Sequence, residues 1–246
     1  MTQRNSGPLA QDPTDLAESL LGWLADDYFR VEVAGLENLP AAGPALLAAN
    51  HSGAWGLDGF VLHKVLQRQV RRPVRVYASE LILRIPVLAA YARHHGMITD
   101  DPTLGRDHLA AGELVALFPE GFSGVGKRFS QRYRLRPFGP GFASAAVLTG
   151  APVVPVSIVG AEEAYPKLGE IGALARRFDL PFFPVTTPLP LPSKWLISIG
   201  EPIPAPARAD SFAARSAATR RLCDEVWFTV QGMVDRDRGR RTTPFW

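Results

Sequence analysis

His51 and Asp58 are the two side chains whose types and spacing best suit chemistry, in the stretch Asn50-His51-Ser52-Gly53-Ala54-Trp55-Gly56-Leu57-Asp58. The apolar run Ala45 to Ala49 leads into it, and an apolar helical pattern comes after it. A histidine at the end of a buried strand, with a carboxylate a short turn later, is a compact general-base unit. Neutral His51 can take the proton of a hydroxyl as that oxygen attacks an acyl carbonyl. Asp58 then holds the ring and stabilises the imidazolium. Such proton transfer is worth about 10²–10⁴-fold in rate. The same residues also fit a plainer role, with Asp58 as a helix N-cap and His51 as a satisfied loop histidine.

A second signal lies about sixty residues on, where Phe118-Pro119-Glu120-Gly121 ends another apolar run. Ligands of α/β sheets sit beyond the carboxyl ends of strands, so Glu120 there suits a polyol hydroxyl and Gly121 lets the chain turn. A simple Pro/Gly turn after a strand is the plainer reading. Lys127 and Arg128 come next, and then Arg132, Arg134 and Arg136 alternate with Tyr133 and Leu135. On an extended segment that spacing places three guanidiniums on one face. They suit phosphates of a coenzyme, an acceptor or a lipid headgroup, with a solvated edge as the alternative.

These groups need strands that end together. Thr14 to Tyr28 reads as a helix capped by Thr14, and Arg30 to Val33 as a strand. Ala45 to Ala49, Val74 to Ala78, Leu114 to Phe118, Val153 to Val159 and Trp195 to Ile199 read as further strands. Helices are expected at Asp58 to Val70, at Glu80 to His95 with a break near Pro86, and from Asp101-Pro102 through Ala111. Others are expected at Pro140 to Thr149, Ile171 to Phe178 and Ser211 to Val234. The alternation predicts an α/β fold, a single-domain α/β sandwich with a largely parallel buried sheet flanked by helices. Residues 1–13 are expected to form a flexible N-terminal tail, 14–235 the domain and 236–246 a basic C-terminal tail.

Composition sets the outer limits. The chain has 46% hydrophobic and 21% charged residues and a net charge of +3, so bulk charge argues for no nucleic-acid partner. Cys223 is the only cysteine, which removes an internal disulfide and a Cys-based zinc site and fits a cytoplasmic location. It reads as a small buried residue on the last helix. No run of about 18 apolar residues predicts a spanning helix. The apolar, proline-rich 181–192 segment and Leu81 to Ala92 suit an acyl-chain groove or a peripheral membrane surface, with Trp55 and Trp195 beside it. Rival motifs fail. Gly121 to Lys127 has phosphate-loop spacing, but Arg128 replaces the required Ser/Thr. Gly-x-Ser-x-Gly is absent. His94-His95 lacks the context of a zinc helix, so no metal is expected.

Asn50-His51 with Asp58, Phe118 to Gly121, Gly150-Ala151-Pro152 and Val154-Pro155-Val156 together resemble the lysophospholipid/glycerol-3-phosphate acyltransferase superfamily. Order and rough spacing match over about residues 31–202. Six residues separate His51 from Asp58 where that family usually has four. The longer form, with His-Ser-Gly and Asp-Gly, resembles the monoacylglycerol acyltransferase-like branch. Gly96-Met97-Ile98 and Gly121 are not followed by the arginines that many glycerol-phosphate acyltransferases place there. The resemblance implies acyl transfer from a thioester donor, acyl-CoA or acyl-ACP, to a hydroxyl of a glycerolipid or lipid-like acceptor. It implies His51 as base, Asp58 as its partner, Glu120 and Gly121 at the acceptor, and no cofactor beyond the co-substrate. A non-catalytic lipid-binding protein on the same fold is the alternative, and a thioester or lipid hydrolase the third reading.

Overall fold

The structure, a computed structural model, describes residues 12–79, 82–99, 102–206 and 211–245. Most of the expected N-terminal tail, the Asp101 cap and the Glu80-Leu81 start of the third expected helix lie outside those residues. Helix α1 (Pro13–Trp23) runs into a wider π-helical turn at Leu24–Tyr28. Its cap is Asp12, whose carboxylate accepts the Thr14 N–H at 2.9 Å, so Thr14 lies inside the helix rather than before it. Then come β1 (Glu32–Ala34), β2 (Ala45–Ala49), α2 (Leu57–Gln69) and β3 (Val74–Val76). Helix α3 (Pro86–His94) begins at the expected break, because proline suits the first helical position. It is followed by α4 (Pro102–Ala110), β4 (Leu114–Leu117), the short α5 (Phe122–Val125), α6 (Gly141–Thr149) and β5 (Val153–Val159). The remaining elements are α7 (Ala161–Ala164), β6 (Gly169–Glu170), α8 (Gly172–Arg177), β7 (Pro184–Val185), β8 (Leu196–Ile199) and α9 (Phe212–Arg240).

Six strands form one sheet in the order β1-β8-β5-β2-β4-β3, and β6 pairs with β7 separately. Every pair in the large sheet is parallel except β5 with β8. Central β2 and β5 are buried along their whole length, which suits the unbroken apolar run of β2 and the apolar run of β5, broken only by Ser157. Alternation splits the core into two layers. Ala45, Leu47 and Ala49 face one layer, while Leu46 and Ala48 face the other. The first layer holds α1, α2 and α3, and the second α6 and α9. Trp195 lies in the first, fully buried and stacked on Phe29 at 4.5 Å, rather than on a surface. Cys223 is buried in the second.

The C-terminal end differs from expectation. Helix α9 runs on to Arg240, and the residues after it are docked. Buried Asp237 accepts the Ser157 hydroxyl and pairs with Arg236 and Arg240. Arg241 reaches Glu163 at 2.7 Å, and Lys194 N–H donates to the Pro244 carbonyl. A run of arginines that looks like a solvated tail is thus a set of partners for buried carboxylates.

β2 and β4 are parallel neighbours, so their carboxyl ends lie side by side. His51 leaves the first and Glu120 the second, which is where an α/β sheet presents its site.

Candidate active site

The loop between β2 and α2 is shaped by two left-handed glycines, Gly53 at φ +83° and Gly56 at φ +65°. Gly56 N–H closes a turn on the Gly53 carbonyl at 3.1 Å, and Gly56 is also the cap residue just before α2. The extra length therefore bulges, and Asp58 enters one residue inside the helix rather than at its cap. Its carboxylate is fully buried. Oδ2 accepts Ser52 N–H at 2.7 Å and faces His51 Nδ1 at 2.9 Å, while Oδ1 accepts Gly59 N–H at 3.0 Å. The first turn of α2 adds a favourable dipole for an ionised group. An acceptor at Nδ1 fixes the proton there and leaves Nε2 as the basic nitrogen. Asn50 locks the strand end, exchanging hydrogen bonds with the main chain of Ile158 at 2.9 and 2.6 Å.

The His51 ring stacks on Phe118 at 4.3 Å and is 17% exposed. It lines two cavities at once. One, about 300 Å³, is walled by Leu46, Leu109, Val115, Leu117 and Phe142, with Tyr77, Ser79 and Arg106 as polar members. The other, about 610 Å³, lies among Trp55, Phe60, Leu88 and the 180–184 segment, with Arg84 at hand. Ser79 and Phe122 also line both. Both are mostly apolar and of ligand-pocket size.

Glu120 is buried and turned inward. Oε1 accepts His51 N–H at 2.9 Å and Oε2 accepts Arg136 N–H at 2.6 Å. Both oxygens are thus engaged by the protein's own main chain, which makes Glu120 a brace between the two loops. Gly121 (φ +54°) lines the smaller cavity. Lys127 is buried as well, 2.9 Å from Glu162 and 3.4 Å from Glu120. Burial opposes its charge, but the Glu162 and Glu120 carboxylates outweigh this and hold the ammonium above its usual value.

The expected cationic strip is less uniform than its spacing suggests. Tyr133 has φ +67°, which interrupts the extended pattern. Arg132 and Arg134 are exposed, whereas Arg136 is half-buried with its guanidinium on Gln131. The Arg132 guanidinium covers the Phe129 ring at 4.4 Å. Arg128 and Arg132 border a small cleft shared with Lys127 and Lys167. None of these cations lines either His51 cavity. Arg84 and Arg106 do, and sequence reading passes over both. The available signal for Arg106 is an arginine soon after Gly96-Met97-Ile98, on the helix expected from Asp101. Glu162 and Glu163 escape it too, although two adjacent carboxylates directly after a buried strand are a signal.

No helix among the described residues is long and apolar enough to cross a membrane.

An uncharacterized protein of Mycobacterium tuberculosis (strain ATCC 25618 / H37Rv) is 43% identical over 233 residues, covering 90% of this chain. The chain spans 65% of that relative's length. A Homo sapiens protein named "DGAT1/2-independent enzyme synthesizing storage lipids" is 27% identical over 212 residues, 83% of this chain and 61% of that one. Among solved structures, the 1-acyl-sn-glycerophosphate acyltransferase PlsC of Thermotoga maritima superposes with a TM-score of 0.61 at 23% identity. That match covers 94% of this chain and 80% of the other, and it shows a shared fold. Residues 30–159, just over half of the chain, match the family model described as Acyltransferase, and the chain belongs to that family.

Proposed function

We propose that the protein transfers a fatty acyl group from a thioester, acyl-CoA or acyl-ACP, to a hydroxyl of a glycerolipid or similar lipid. The observation that carries this reading is the 2.9 Å contact of His51 with buried Asp58 beside two apolar cavities. His51 Nε2 takes the acceptor hydroxyl proton as that oxygen attacks the thioester carbonyl, and Asp58 stabilises the imidazolium. Collapse of the tetrahedral intermediate expels the thiolate, which His51 can protonate. Backbone N–H groups near Gly121 are suited to the oxyanion, a contact worth about 10²–10³-fold in other enzymes. The acyl group passes directly, and His51 needs no enzyme nucleophile for that.

Two apolar cavities meeting at one base suit two hydrocarbon chains, the donor's acyl group and one carried by the acceptor. An acceptor of the monoacylglycerol type satisfies that arrangement, and the human relative is named for synthesizing storage lipids. Arg84 and Arg106 suit the anionic parts of the substrates, and Arg128 and Arg132 an outer contact. The six-residue His–Asp separation is what keeps the non-catalytic lipid-binding alternative open at the level of sequence. The glycine bulge supports catalysis instead.

Access from a membrane surface fits the rim of the larger cavity. Trp55, Ile85, Phe122 and Phe178 line it and are 42%, 50%, 44% and 51% exposed. Arg84, Arg176 and Arg177 are exposed on the same lining or beside it. An apolar rim with arginines suits peripheral contact with an anionic cytoplasmic leaflet.

The test incubates pure protein with acyl-CoA and a panel of mono- and diacylglycerols, lysophospholipids and glycerol 3-phosphate, alongside His51→Ala. Acyl ester formation that depends on His51 is expected. Thiol release unchanged by the substitution would sink the mechanism. Free fatty acid as the product with acceptor present would assign a hydrolase instead.

A further inference from the structure

Behind His51 lies a buried charge cluster that the proposed chemistry does not use. Lys127 stands between Glu120 and Glu162, and the three side chains are 3%, 0% and 9% exposed. Each carboxylate in turn holds main chain. Glu120 takes the N–H of His51 and of Arg136, and Glu162 takes the N–H of Tyr133. One ammonium thus ties together the loop after β2, the chain after β4 and the turn after β5. Space around the tie is tight. A Cβ at Gly124 would lie 2.9 Å from His51 Cβ and 2.8 Å from Glu120 Cβ.

We infer that Lys127 and Glu162 are positioning residues for the base, acting on the His51 main chain through Glu120. The inference rests on the proposed role of His51. Its physical content is charge compensation. With Lys127 facing it, Glu120 holds two N–H groups, one with each oxygen, in a buried site. Without it, Glu120 and Glu162 face each other with no cation between them. Buried like charges relieve themselves by taking a proton or by turning towards water. Either response loosens the bond to His51 N–H and shifts the imidazole relative to the cavities. Burial already pushes the Glu162 carboxyl up to about 7 against the pull of Lys127. Around the cluster, Asp58 faces it from α2, Tyr133 from the β4–α6 connection, and Arg128, Arg132 and Lys167 from the adjoining cleft. Arg128 and Arg132 are exposed and Lys167 pairs with Glu170 at 2.8 Å, whereas Lys127 is the cation that the ion pairs place between the two glutamates.

This assignment differs from the substrate contact that the sequence suggests for Lys127, and the two are separable. Lys127→Met is expected to lower kcat by about 10²-fold, the cost of misplacing a reacting group, with KM for donor and acceptor held within about threefold. Lys127→Arg, which keeps the charge, is expected to recover at least about tenfold of that loss. Because both act through one contact, Lys127→Met combined with Glu120→Gln should be no worse than the poorer single variant. Hydrogen exchange at the His51 amide should accelerate in Lys127→Met. Glu162→Gln is the milder companion should Lys127→Met not fold. It keeps the shape and is expected to lower kcat about tenfold at unchanged KM. A rise in KM at unchanged kcat, or losses that multiply in the double variant, would overturn the inference. Loss in His51→Ala alone, with every Lys127 and Glu162 variant at wild-type rate, would keep the base and discard the positioning pair.

Discussion

Helix α2 serves two histidines in opposite ways. At its first turn, Asp58 reaches back to His51, whose ring touches solvent and both cavities. Farther along, its own His63 is buried against α3, with Nδ1 2.8 Å from the Tyr91 hydroxyl. Burial, reinforced by His95 and Arg75, pushes the His63 imidazole down to about 4, and burial also raises the Tyr91 phenol. His63 is therefore a neutral structural group at ordinary pH. His51 has a buried carboxylate at its Nδ1 and opens onto both cavities, which is what the proposed base needs. Burial without a carboxylate keeps His63 neutral; a buried acid beside a part-exposed ring is the arrangement on which the proposal for His51 rests.

The sharpest way to break this comparison is to exchange the two histidines' roles in an assay. His51→Ala is expected to reduce kcat/KM by about 10³–10⁴-fold, and Asp58→Asn, which keeps the shape but reverses one hydrogen-bond preference, by about 10³-fold. His63→Gln retains a polar partner for Tyr91 and should change turnover by less than about threefold. A His63 loss comparable to that of His51 would end the distinction. Steady-state rates at saturating donor decide it.

Stability against pH separates them next. The folded value of about 4 for His63 lies below the unfolded value near 6.5. The unfolded chain thus binds the proton more readily. Stability is full above pH 6.5 and is lost progressively as pH falls towards 4, by an amount on the order of 3 kcal/mol. Urea unfolding at pH 7 and pH 4.5 should show that slope in the wild type and a flatter one in His63→Gln. An unchanged slope would mean that another group carries the acid sensitivity.

Docking at a lipid surface is a smaller effect. Sedimentation with anionic vesicles should carry down the wild-type protein, and Arg176→Glu with Arg177→Glu should weaken binding several-fold at low salt. The loss should fade as salt screens the contact. Equal binding of both forms would remove the arginines from the rim.

The difference between the two centres also marks what the sequence revealed. β2 and β5 were legible to the residue, because largely apolar runs bounded by turn residues mark fully buried strands. His51 and Asp58 were legible because a local loop brings them together. Lys127 was not, since its inward turn depends on Glu162, on another strand's far end. Arg236 to Arg241 read as a tail for the same reason. Their partners, Asp237 buried on Ser157 and Glu163 after β5, become visible only when distant segments meet. Glu120 is visible in the sequence as a carboxylate at a strand end, but its engagement by the His51 and Arg136 N–H groups is not, because backbone partners leave no trace in residue type.

Glycine gives the finest version of the contrast, between Gly53 in the active loop and Gly112 between α4 and β4. Both have φ +83°. A Cβ on Gly53 would come within 2.8 Å of the Ala161 carbonyl oxygen, whereas at Gly112 there is open space. Left-handed geometry costs an L-residue roughly 1–2 kcal/mol wherever it occurs. Gly112→Ala should therefore lose about 1 kcal/mol of stability and leave kcat untouched. Gly53→Ala carries the same strain plus a main-chain collision, and relief of that collision must move the segment that joins His51 to Asp58. About a tenfold fall in kcat should accompany its loss of stability. Equal kinetics in the two variants, at equal destabilisation, would show that the bulge merely spans the extra residues and does not set the geometry of the base.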